Sequence, residues 1–92
     1  MFKELFTEGK THPNIKAMLP VFKNKGYKAK VSYGDLDIPF PKGVTEEEAI
    51  EAFLSIAPGE WEKGKREGFY HQGDLTVSFG EFSGKIFAGV TT

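Results

Sequence analysis

Apolar positions in this chain repeat with two periods, and the change from one to the other divides it into elements. Phe2, Leu5 and Phe6 fall at helical spacing and Gly9 ends the run, which predicts a short N-terminal turn or helix over 2–8. Ile15, Met18, Leu19 and Phe22 follow the i, i+3, i+4, i+7 rule and predict a helix over 13–25. Pro13 suits its first turn, where the missing N–H has no partner in any case, and Gly26 suits its end. Pro20 lies deep in the same segment and predicts a kink or two shorter pieces.

The period then falls to two. Tyr27, Ala29, Val31 and Tyr33 alternate with Lys28, Lys30 and Ser32, as in a half-buried strand with a basic outer face. Gly34-Asp35 is the expected turn. Leu36, Ile38 and Phe40 alternate next, but Pro39 and Pro41 predict an edge strand that frays into a loop. Thr45-Glu-Glu-Glu48 reads as a capping box, and Ala49, Ile50, Phe53, Leu54, Ile56 and Ala57 form the apolar stripe of a second helix that Pro58-Gly59 ends. Three strands follow, Phe69–Gln72, one built on Leu75, Val77 and Phe79, and one on Ile86, Ala88 and Val90, with turns at Gly73-Asp74 and Ser83-Gly84. The order helix, hairpin, helix, meander predicts one α+β domain over residues 1–92. Its two layers are an antiparallel sheet of four to five short strands, hairpin plus C-terminal meander, and two main helices packed on one face.

Composition narrows the function. With 92 residues, 39% apolar and nine of them Phe, the chain can bury one core. It has no cysteine, which excludes disulfides and thiolate metal sites and fits a reducing compartment. No apolar run reaches membrane-spanning length and the first residues lack a signal-peptide pattern, so a cytoplasmic location and no membrane partner are expected. The net charge of −1 hides a segregation. Residues 1–34 carry seven Lys against Glu4 and Glu8, residues 35–62 carry eight acids against Lys42, and residues 63–92 carry four bases against three acids. A near-neutral total argues against nucleic-acid binding through bulk charge, but leaves room for local patches.

Residues 62–71, EKGKREGFYH, are the stretch most like a working site. They read either as a basic grip for phosphate, with Phe69 and Tyr70 stacking on bases, or as a solvated connector. The spacing is no P-loop, and Glu60, Glu62 and Glu67 repel phosphate. A protein-contact loop is the better reading, because Trp61 and Arg66 are of the residue types that anchor interfaces. Lys16, Lys23, Lys25, Lys28 and Lys30 form a second basic set, either an anion-binding face or ordinary solvated lysines. The acidic set from Asp35 to Glu62 could mimic DNA, but helix capping accounts for Glu46–Glu48. His71 and Tyr70 point to opposite faces of a strand, and the two histidines lie far apart in sequence. No catalytic residue, metal site or cofactor is therefore expected. Trp61, Phe69, Tyr70, Phe82 and Phe87 cannot all enter one small core, so either some face a partner or the N-terminal helix covers them.

In length, lack of Cys, compactness and element order, the chain resembles the small proteins that bacteriophages make against host defence, anti-CRISPR proteins among them. That resemblance implies a non-catalytic inhibitor that docks on a multi-subunit Cas ribonucleoprotein complex in the host cytoplasm and blocks nucleic-acid binding by occlusion. Lys28, Lys30, Trp61, Lys63, Lys65, Arg66 and Tyr70 are the expected partner contacts. The alternative is a nucleic-acid-binding module that uses the lysine face and the loop 62–71.

Overall fold

The computed structural model describes residues 11–92. The expected element at residues 2–8 lies outside them. The described chain is an α+β fold with helices α1 (Pro13–Asn24) and α2 (Glu46–Ile56) and strands β1 (Lys30–Ser32), β2 (Asp35–Pro39), β3 (Glu62–Lys63), β4 (Phe69–Gln72), β5 (Leu75–Phe82) and β6 (Lys85–Thr91). The strands form one antiparallel sheet in the order β1-β2-β6-β5-β4-β3. Both helices pack on one face, α1 against β1 and β2, and α2 against β5 and β6.

Helix α1 begins at His12, whose Nδ1 accepts the Asn14 N–H at 3.0 Å. It ends in a Schellman motif. Gly26 sits at φ +96, its N–H bonds the Lys23 carbonyl, and the Tyr27 N–H reaches back to Phe22. The Tyr27 ring then meets the Phe22 ring edge-on at 5.9 Å, the apolar contact that completes this stop. Pro20 does not divide the helix into two pieces; it lies inside one continuous span. Pro20 and Lys16 are both exposed, so the carbonyl that loses its partner faces water. In α2 the capping box is complete. Thr45 Oγ1 accepts the Glu48 N–H at 3.1 Å, and Glu48 Oε1 accepts the Thr45 N–H at 3.0 Å.

Three strand expectations need correction. The first strand covers only Lys30–Ser32, and the turn is Tyr33-Gly34, not Gly34-Asp35. Both turn residues have positive φ, 53 and 83, as a two-residue hairpin of right-handed twist requires. Tyr33 is consequently 99% exposed, although alternation places it inward.

Second, β2 is not an edge strand but lies between β1 and β6. Its proline is tolerated by parity. The Phe40 N–H bonds the Ile86 carbonyl, so even-numbered residues of β2 bond toward β6 and odd ones toward β1. Pro39 therefore lacks a donor on the side where β1 has already ended, since the pairing stops at Lys30↔Asp37.

Third, residues 62–71 are not a connector. Glu62 pairs with His71, Lys63 with Tyr70, and the Gly64 N–H bonds the Phe69 carbonyl at 2.7 Å. The stretch is a hairpin of its own, and it raises the strand count to six.

The core lies between the sheet and the helices. Ile15, Met18 and Phe22 of α1 and Ala49 and Phe53 of α2 are buried on Leu36, Ile38, Leu75, Val77, Ala88 and Val90 of the sheet, and no described polar or charged residue is buried. Phe53 is its hub. It stacks on Phe22 at 5.5 Å and meets Trp61 and Phe79 edge-on at 5.1 and 5.8 Å.

Candidate functional site

The register divides the sheet's side chains between two faces. Val31, Leu36, Ile38, Val90, Val77 and Tyr70 point to the helices. The opposite face carries Lys30, Asp37, Gly89, Ser78 and Phe69 in one row across five strands. A second row holds Pro39, Phe87 and Gly80, and a third holds Ser32, Asp35, Thr91, Thr76, His71 and Glu62. Among the described residues no helix covers this face.

Aromatic groups stand at both ends of the open face. Phe82, 72% exposed, lies across from Lys85 and near Phe87, and these two rings with Lys28, Lys30, Asp37 and Pro39 line a shallow groove of about 520 Å³. At the other end the Arg66 guanidinium lies 5.2 Å over the Phe69 ring. Such a pair is worth about 0.5–1 kcal/mol and holds an otherwise mobile cation in place. His71 closes that end. Its Nδ1 is 3.0 Å from Thr76 Oγ1 in the facing strand, and its ring sits where a Cβ on Gly64 would be, 2.7 Å from Nε2. Lys63, Gly64, Lys65, Arg66, Phe69 and His71 line a second hollow of about 390 Å³, which brings three of the expected contact residues together.

Between these ends the floor is low. A Cβ built on Gly80 or Gly89 meets nothing within 4 Å. The face is thus a trough of small residues beside a ridge made by Phe82 and Phe87.

The sheet edges offer less. Strand β1 is three residues long, and only Val31 turns its backbone N–H and C=O outward. Strand β3 is two exposed charged residues. Short or charged edges of this kind resist strand addition.

The seven expected contact residues do not form one site. Lys28 and Lys30 border the Phe82 groove. Lys65 and Arg66 sit at the hairpin tip beside the opposite edge, roughly four strand spacings or 19 Å away. Tyr70 belongs to the helix side, and so does Trp61, whose ring is given largely to the core against Phe53. Lys63 lies with Tyr70 along a groove under α2 that also holds Glu46, Glu47, Glu51 and Glu67. Of the five spare aromatics, Phe69, Phe82 and Phe87 take the open face, and Trp61 and Tyr70 the covered one. Phe82, Phe87 and Pro39 are absent from the expected contacts. The alternation of Ile86, Ala88 and Val90 already turns Phe87 away from the core, but no local pattern tells which face lacks a helix.

Among the described residues no group of three His, Cys, Asp or Glu is placed to hold a metal, and no helix is long and apolar enough to cross a membrane. No protein-family model, characterised relative or solved structure matches the chain.

Proposed function

We propose that this chain is a small non-catalytic binding protein that docks on a protein partner through the open face of its sheet. The observation that carries the reading is the apolar ridge on that face, with Phe82 72% exposed and Phe87 beside it. Exposed aromatic groups inside a polar rim are the makeup of protein interfaces. The charges favour protein over nucleic acid. Lys30 stands opposite Asp37, and Asp35 and Glu62 occupy the same face, so a phosphate backbone laid across it meets carboxylates. The resemblance to small phage inhibitors implies a form of action for such a protein, occlusion of a host defence complex.

The test is a pull-down by the tagged chain from nuclease-treated bacterial lysate at physiological salt, read by mass spectrometry, beside Phe82→Ser and the alanine variant of Lys63, Lys65 and Arg66. A stoichiometric protein that Phe82→Ser loses at least tenfold supports the reading. Full capture by the triple variant assigns the hairpin a purely structural role. The reading fails if only untreated lysate yields a ligand, that ligand is nucleic acid, and its retention falls steeply with salt.

A further inference from the structure

We infer that the open face of the sheet is a self-association surface, and that its partner is a second copy of this chain in a two-fold dimer. The inference rests on the reading of that face as a protein interface and names the occupant. Its basis is that the face is complementary to itself. Phe87 stands in the row next to Gly89 on β6, and Gly80 in the row next to Ser78 on β5. A two-fold axis running across the strands, midway between those rows, places Phe87 of each copy over Gly89 of the other. There the space above the glycine is empty. The same operation lays Phe82 over the row of Thr76 and brings Lys85 toward Asp35, a cation toward a carboxylate. An isologous contact needs this reciprocity, in which each feature meets its complement twice.

The area is sufficient for a weak dimer and no more. Six strands about 4.8 Å apart and two to eight residues long, at about 3.3 Å per residue, give a face on the order of 450 Å² per copy. Twice that, about 900 Å², lies in the range of weak, transient interfaces below about 1,200 Å², so association only at high micromolar concentration is expected.

Glycine makes the test specific. Gly89 has ordinary strand φ, and its Cβ position is empty within the protomer, so Gly89→Thr fits the isolated fold and supplies a better strand former. It also fills the hollow that receives the partner's Phe87. Sedimentation velocity of the full chain from about 5 to about 500 µM should show a mass rising from monomer to dimer. Gly89→Thr and Phe82→Ser should each weaken association at least tenfold, with the thermal midpoint of Gly89→Thr at low concentration equal to or above that of the parent. A parent that stays monomeric at the highest concentration overturns the inference, as does a Gly89→Thr chain that dimerises like the parent. If the parent is monomeric and Phe82→Ser still abolishes capture of a lysate protein, the face belongs to a different protein and the reading of the preceding section stands without this one.

Discussion

Phe53→Ala is the sharpest probe of the architecture, because one ring joins both helices to the sheet. Phe53 is fully buried in α2, stacks on Phe22 of α1, and meets Trp61 ahead of β3 and Phe79 of β5 edge-on. Removing a buried Phe ring in a core costs about 3–5 kcal/mol, from lost transfer free energy and the cavity left behind. Three aromatic neighbours lose contacts together, which places this site at about 4 kcal/mol or above. A chain of this length has an unfolding entropy of about 0.19 kcal/mol/K, so the midpoint should fall by about 20 °C. Total stability for this size is about 5–14 kcal/mol, so the variant keeps little margin.

The assay is thermal unfolding followed by two probes, far-UV CD and the emission of Trp61, the chain's one tryptophan. The emission of the folded variant should move to the red, because the indole loses the ring against which it packs. Phe53→Leu retains most of the volume and should cost no more than about 1.5 kcal/mol. A midpoint shift under about 5 °C for Phe53→Ala, or equal losses for Ala and Leu, refutes the hub and with it the packing of α2 on the sheet.

Three further changes test local physics. Thr45→Ala removes one half of the capping box and should cost about 1 kcal/mol in urea denaturation, whereas Ser at the same position should cost little. Trp61 Nε1 is buried with no hydrogen-bond partner among the described residues, and an unpaired buried donor costs about 1–3 kcal/mol. Trp61→Phe should therefore change stability by less than about 1 kcal/mol, against about 3 kcal/mol or more for Trp61→Ala. Gln72 Nε2 donates to the Pro58 and Glu60 carbonyls at 3.0 and 3.2 Å and clamps the turn after α2 to β4. Gln72→Leu should cost about 1–2 kcal/mol and speed hydrogen exchange in β3, the strand that turn delivers.

The sequence by itself determined the elements whose causes are local. The Thr45–Glu48 box sets the start of α2 within one turn, Gly26 with its positive φ ends α1, and the alternation in residues 75–90 sets two strands and their turn. These depend on bonds between residues a few positions apart, so the pattern contains the answer. The tertiary structure decided what depends on distant partners. Strand β2 became interior because Leu36 pairs with Val90, a pairing that no local signal around Pro39 announces. Residues 62–71 became a hairpin although Glu62 and Lys63 show no apolar alternation, because β4 offers them a ladder. The candidate site depends on the same kind of fact. Alternation assigns Phe82 and Phe87 away from the core-facing set. Only the assembly of six strands, with both described helices on one side, turns that second set into a continuous face that no described helix covers, since a face exists only once distant strands lie side by side.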